Sequence, residues 1–308
     1  MSLIKYLKID HTHEGQRIDN FLITHCKNIP RSRLYRAIRQ GEVRVNKKRV
    51  KPEYRLKISN IVRIPPFKST IKTSTSNKGI HRYKFLLDLI EYEDNAFIML
   101  NKPCGIPVHG GSFVHLGIIE ALMKLRPKLP YLRLVHRLDR DTSGCLLLAK
   151  KRATLLAMQQ LLLKHKIKKQ YWVLVKGIFP KKRYVVDLPL KKNHLLSGER
   201  IVKVDTSGKI ARTIFVAKQY FTNTTLLETT IVTGRTHQIR VHAKAIGYPV
   251  AGDDKYGDRA FNQKMKALGL KRLFLHAACL TFKIKDKTFR LKAPLPNVLQ
   301  TLLAKKKL

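Results

Sequence analysis

Acidic residues are scarce in this chain: 20 Asp and Glu stand against 63 Lys and Arg in 308 residues, giving a formal charge of +43 and a pI near 10.4. That imbalance sets the chain apart from ordinary enzymes of small metabolites and points to a polyanionic partner, bound largely through counterion release and weakened by salt. Long hydrophobic runs are missing, and none approaches the roughly 18 residues of a membrane span. Met1 to Asp10 has charges inside its apolar stretch, unlike a signal peptide. A lipid surface is therefore disfavoured as partner, and the cytoplasm is the expected compartment. Cysteines are few and scattered (Cys26, Cys104, Cys145, Cys279), with no Cys-x-x-Cys pair, which argues against a disulfide framework or a zinc finger. No Walker or dinucleotide glycine loop occurs, no internal repeat, and no convincing metal-ligand cluster. Self-association would be electrostatically costly for such a surface, so a monomer is expected.

What is present suffices for two domains with real cores, since 44% of residues are hydrophobic. A break follows Arg63-Ile64-Pro65-Pro66, where Lys68 to Lys78 is a run of Ser, Thr, Lys and Asn with almost no apolar anchor. The expected layout is a first domain over residues 1–67, a linker over 68–80, a larger domain over 81–302 and a basic tail at 303–308. The first segment carries 16 Lys and Arg against 5 acids, a density suited to a binding module. Within it Pro30 can open a helix and Gly41 can close one. Leu34, Ala37 and Ile38 fall at helical spacing for a core, while Arg33, Arg36 and Arg39 recur along another face. Val43 to Val50 reads as strand, Asn-containing turn and strand. A helix pair followed by this hairpin and Val62-Arg63-Ile64-Pro65-Pro66 resembles the S4 RNA-binding domain. The resemblance implies RNA contacts by Arg31, Arg33, Arg36, Arg39, Arg44, Lys47, Lys48 and Arg49. Where that family commonly has a Gly-Asp turn, this chain has Ser59-Asn60, and Asn tolerates a left-handed turn position.

Downstream, the clearest strands are Phe97 to Leu100, Tyr171 to Val175, Ala211 to Ala217, Leu226 to Val232 and Leu275 to Ile284, with Asp286-Lys287 suggesting a hairpin. Thr154 to Lys164 and Thr236 to Ile246 read as helices. Consecutive strands broken by a few helices favour an α+β fold with a mixed, mainly antiparallel sheet.

The most informative stretch is His136-Arg137-Leu138-Asp139-Arg140-Asp141-Thr142-Ser143-Gly144. It sets Asp139 among cations that favour its ionised form and ends in turn residues with Gly144 suited to positive φ. Apolar Cys145 to Ala149 follows as a buried strand that would hold the loop rigidly. By itself such an Asp could simply pair with its arginine neighbours. The ordered motif, however, resembles the active-site signature of the large-subunit family of RNA pseudouridine synthases.

The resemblance extends through Lys102 to Ser112, a shaped loop bordering the cleft and containing His109, and through Lys169-Gln170-Tyr171. It reaches Thr233-Gly234-Arg235-Thr236-His237-Gln238-Ile239-Arg240-Val241-His242, where Thr236 can cap a helix that places His237, Arg240 and Lys244 on one face. It implies that Asp139 is the catalytic carboxylate, that Tyr171 stacks on the target uracil, and that Arg240 pairs with Asp139. Arg137 would help extrude the nucleotide, with His136 and His109 at the substrate. Isomerising uridine needs no redox change or external energy, so no cofactor is expected. The implied partner is large-subunit ribosomal RNA, naked or in pre-subunit particles. A non-catalytic rRNA-binding or assembly protein, and a synthase acting on transfer RNA, are the alternative readings. A glycoside hydrolase fits poorly, because Asp141 is the one nearby carboxylate and no distal partner is evident.

Overall fold

The computed structural model describes residues 4–26, 29–67, 80–110, 116–194, 200–305 and 308, and forms two compact units, Met1–Gly79 and Ile80–Leu308. Lys68 to Lys78, read as a linker, and Gly111-Ser112 of the glycine-rich loop lie outside the described residues.

In the first unit β1 (Lys5–Lys8), α1 (Ile18–His25), α2 (Arg31–Arg39), β2 (Arg44–Val45) and β3 (Ile61–Ile64) enclose a small core. The strands pair antiparallel in the order β1-β3-β2. Phe21 and Leu22 of α1 meet Leu34, Ala37 and Ile38 of α2 against Val43 and Val62. The apolar spacing read in α2 is thus its buried face, and Gly41 ends the helix at φ +73. Three details differ from the sequence reading. Arg33 leaves the basic ridge to fork onto Glu42 at 2.7 and 3.0 Å. After the Asn46-Lys47 turn, both residues at positive φ, the return strand is a single Val45–Lys48 bridge, because β2 spends its other edge on β3. Ser59, not Asn60, takes the left-handed position at φ +64; Asn60 is buried and its side chain accepts the Lys57 N–H at 2.9 Å.

The second unit opens with a 3-10 helix (Ile80–Leu86), followed by β4 (Ile90–Glu93), β5 (Phe97–Lys102), α3 (Ile118–Leu125), β6 (Arg133–Leu134), β7 (Ser143–Ala149) and α4 (Arg152–Leu163). It continues through β8 (Lys168–Lys176), β9 (Arg183–Asp187), β10 (Leu190–His194), β11 (Arg200–Val204), β12 (Arg212–Tyr220) and β13 (Thr224–Ile231). It closes with α5 (Gln238–Ala245), α6 (Arg259–Ala267), β14 (Leu275–Ile284), β15 (Lys287–Lys292) and α7 (Asn297–Leu303). The main sheet runs β4-β5-β7-β14-β8-β13-β12-β9, with β15 on β14 and β6 on β7, while β10 and β11 form a separate hairpin. Among the described strands β7 and β14 are the one parallel pair, so the sheet is mixed and mainly antiparallel.

Every residue of β7 is buried, without alternation, as befits a strand covered on both faces. Each leucine it buries contributes roughly 1.5–3 kcal/mol. Gly144 sits at φ +107, and a Cβ there would collide with the Ala277 carbonyl, so the close approach of β7 to β14 requires glycine. Leu308 packs in a cluster with Leu174 and Phe274, and its carbonyl accepts the Asn223 N–H at 2.9 Å.

Candidate active site

The loop carrying Asp139 runs directly into β7 and is tied down on both sides. Beneath it, the fully buried Lys102 ammonium donates to the carbonyls of Pro103, Ile106 and Arg140 at 2.7, 2.8 and 2.9 Å. Burial lowers the Lys102 pKa to about 8, a cost that the three acceptors help offset. Gly105 N–H shares the Arg140 carbonyl, and Cys104 Sγ donates to Asp141 O. Behind the loop, Arg272 Nη2 donates to Ser143 Oγ at 2.7 Å, and Ser143 meets His276 Nδ1 at 2.9 Å. His276 Nε2 donates in turn to the Ala293 carbonyl. Burial lowers the His276 pKa to about 4, so the ring stays neutral and keeps one nitrogen free to accept.

Asp139 opens onto a cleft of about 80 Å³ whose walls include Arg137, Tyr171, Ile231, Arg240 and Leu275. Its side chain is 21% exposed. Tyr171, on β8 beside β14, is buried; burial first and the Asp139 charge second push its phenol well above the ordinary value. The ring is thus a neutral face and hydroxyl rather than a phenolate.

Arg240 does not pair directly with Asp139. Its guanidinium forks onto Asp253, Nε to Oδ2 and Nη2 to Oδ1, both at 2.7 Å. It also lies over the Tyr256 ring at 5.0 Å. Burial alone would lower the Arg240 pKa, but the Asp253 hydrogen bonds prevail and raise it, with Asp139 a smaller contribution. Arg240 is therefore held in a buried ion pair, and Asp253 is the acid that makes burial tolerable.

His237 Nε2 lies 3.9 Å from Asp139 Oδ2, and burial lowers the His237 pKa, so the ring stands beside the carboxylate as a neutral imidazole. His237 rather than Thr236 precedes α5, at φ +53, a conformation costing a residue with a side chain on the order of 1–3 kcal/mol. Tyr256 Oη accepts the Val202 N–H at 3.0 Å and donates its own proton to His237 Nδ1 at 2.8 Å, leaving Nε2–H toward Asp139. The turn before it is set by the Gln238 amide, which accepts from Arg235 N–H and Thr233 Oγ1 and donates to Arg212 O and Thr213 Oγ1.

Among the other expected site residues, Arg137 is exposed and lines the cleft. His136 lies outside it. Its Nε2 accepts the Leu147 N–H at 3.1 Å, and burial, then the Lys169 charge, lower its pKa to about 4, so it adds no charge beside Asp139. His109 is exposed on its loop and does not line the cleft. That loop is anchored by Glu120, which accepts from Gly110 N–H and Gly117 N–H at 3.0 and 2.9 Å. In the first unit Arg31, Arg36, Arg39, Arg44, Lys47, Lys48 and Arg49 are exposed. Among the described residues no group of three His, Cys, Asp or Glu side chains could hold a metal ion. No helix among them is long and apolar enough to cross a membrane.

Comparison with known proteins bears on this geometry. Residues 96–245 match the profile of the RNA pseudouridylate synthases, and residues 16–62 match that of the S4 domain. A Haemophilus influenzae protein named ribosomal large subunit pseudouridine synthase C is 47% identical over 307 residues, 99% of this chain and 95% of its own. The Escherichia coli (strain K12) protein of the same name is 46% identical over 98% of this chain and 96% of its own. The chain belongs to the RNA pseudouridylate synthase family. A solved human structure, RNA pseudouridylate synthase domain containing 4, superposes with a TM-score of 0.62 at 27% identity, covering 73% of this chain and 95% of that one.

As a pseudouridine synthase the chain is an isomerase with an N-terminal S4 domain ahead of its synthase domain. Sequence reasoning missed Asp253, His237, Tyr256 and the clamp role of Lys102. Asp253 carried one usable signal. Acids are rare here, and this one sits in Ala251-Gly252-Asp253-Asp254-Lys255-Tyr256-Gly257, between an apolar residue and turn glycines.

Proposed function

We propose that this synthase converts specific uridines of large-subunit ribosomal RNA to pseudouridine, with Asp139 as its catalytic carboxylate. The observation that carries the reading is a part-exposed carboxylate on a clamped loop, facing a buried neutral tyrosine across a narrow cleft. The reaction breaks N1–C1′, turns the uracil in place and joins C5 to C1′; C5 loses its proton and N1 gains one. The base must first leave the RNA stack at a cost of a few kcal/mol. Arg137, exposed at the mouth, fills the gap. Tyr171 stacks on the uracil; as a neutral phenol it offers a hydroxyl, and it takes up the C5 proton only if its own proton first has somewhere to go. Arg240 acts on Asp139 through space while anchored by Asp253, and the neutral His237 ring stands 3.9 Å from the carboxylate. Asp139 serves as nucleophile at C1′, as Michael donor to C6, or as base at the ribose 2′ carbon.

The S4 cations supply sequence-independent phosphate contacts within a domain over 1–67, joined by a linker over 68–80 to a catalytic domain over 81–302. The enzyme works as a cytoplasmic monomer on naked rRNA or on pre-subunit particles. Carbodiimide primer extension on unmodified large-subunit rRNA tests this. Wild type is expected to give new stops that Asp139→Asn does not. Absence of stops on rRNA and on pre-subunit particles would sink the substrate assignment and direct the same assay to transfer RNA.

A further inference from the structure

The synthase domain contains two lysines drawn into the protein, and they are treated in opposite ways. Lys102 has three carbonyl acceptors. Lys169 on β8 has no hydrogen-bond or ion-pair partner among the described residues, although burial depresses its pKa. Lys169 is half-buried, so water still reaches part of it, but its ammonium is poorly hydrated and is better satisfied if something else supplies an anion.

The location indicates where that anion sits. Lys169 and Tyr171 are two residues apart on one strand and therefore project from the same face of the sheet. The cross-strand partner of Lys169 is Ile231, which lines the Asp139 cleft. The Lys169 ammonium lies against Gly234; a Cβ built there would meet Lys169 Nζ at 3.5 Å and nothing closer. Gly234 lines both the Asp139 cleft and an adjoining groove of about 330 Å³ that contains Lys191, Lys192, Lys209 and Arg235. At this glycine, then, the backbone carries no side chain between a half-buried cation without a protein partner among the described residues and the junction of two cavities. Among the described residues no acidic side chain pairs with Lys169, and the ring its charge acts on, His136, is neutral.

We infer that Lys169 is an RNA-phosphate contact, binding the backbone phosphate next to the extruded uridine where the strand passes Gly234 from the Asp139 cleft into the basic groove. The inference rests on the pseudouridine synthase reading of the cleft. A phosphate there would satisfy the ammonium and fix the sugar on one side of the reacting C1′, so Lys169 is a positioning residue.

The test uses the full chain, an unmodified large-subunit rRNA transcript labelled with tritium at uridine C5, and release of tritium as readout. Lys169→Met and Lys169→Arg are compared with wild type across a salt series. KM for Lys169→Met should rise about tenfold, the loss of one charge-assisted contact, with kcat within about twofold of wild type. The slope of log affinity against log salt should be shallower by about 0.7–0.9, one phosphate's share. Lys169→Arg should restore most of both. Thermal unfolding separates this from a structural role: removing an unpartnered, half-buried charge should leave Tm unchanged or raise it. An unaltered salt slope, a failure of Arg to restore KM, or a lowered Tm in Lys169→Met would each overturn the inference. If wild type itself releases no tritium, the rRNA reading of the enzyme fails instead, and the two failures stay distinct.

Discussion

Of the eight cations read as RNA contacts in the first unit, seven are exposed and Arg33 alone is engaged by an acid, Glu42. In the second unit Lys102, Arg240 and Arg272 are each held by short hydrogen bonds to carbonyls, to a carboxylate and to a serine. An exposed charge acts over a Debye length on any phosphate and is screened by salt. A fixed charge acts on one group and is insulated from solvent. On the proposed function the same residue types therefore do different work: in one unit they gather RNA, and in the other they fix the geometry in which a single uridine reacts. Retention of affinity after the fixed charges are removed, or of turnover after the exposed ones are, would show whether that division holds.

The largest effect is expected from Asp139→Asn, which should lower single-turnover tritium release at least about 10³-fold while leaving RNA affinity within about twofold. Comparable loss of affinity and turnover would break the division. Next is Lys102→Met, which takes the ammonium from the carbonyls of Pro103 and Ile106 and leaves that of Arg140 with Gly105 N–H alone; it should destabilise the second unit by roughly 2–4 kcal/mol, seen as a lower urea midpoint. The first unit should unfold as before. A third test uses pH. His276 has its pKa lowered to about 4 by burial, below that of an unfolded-chain histidine. Its contribution to stability is therefore complete above about pH 6.5 and lost as pH falls toward 4, on the order of 3 kcal/mol. Denaturant titrations from pH 7 to 4 should show the second unit weakening through this window, and His276→Gln should flatten the slope. The smallest effect is expected from Arg36→Gln with Arg39→Gln: a Kd raised several-fold, a salt slope reduced by roughly 1–2, and kcat unchanged.

Local features were legible in the sequence because local rules decide them. The buried strand β7, the α2 core face, the β14–β15 hairpin and the positive-φ Gly144 follow from period, composition and turn chemistry. Asp139, Tyr171 and Arg240 do meet at one cleft. What the sequence conceals is pairing across distance. Asp253 captures Arg240 from a loop thirteen residues on, and Tyr256 reaches His237 from the same loop. His136 carries the letters of a cation beside Asp139, yet desolvation keeps it neutral and the Leu147 N–H takes its lone pair. Thr236 fits the statistics of a cap, but the Gln238 amide reorganises the turn and moves the helix start onward.

The Lys102 clamp also makes its amine a clock. With its three protons engaged and no surface exposed, this amine cannot meet an acylating reagent while the loop is closed. The pace of its acylation, beside that of surface lysines on the same molecule, would count how often the polypeptide around Asp139 comes undone.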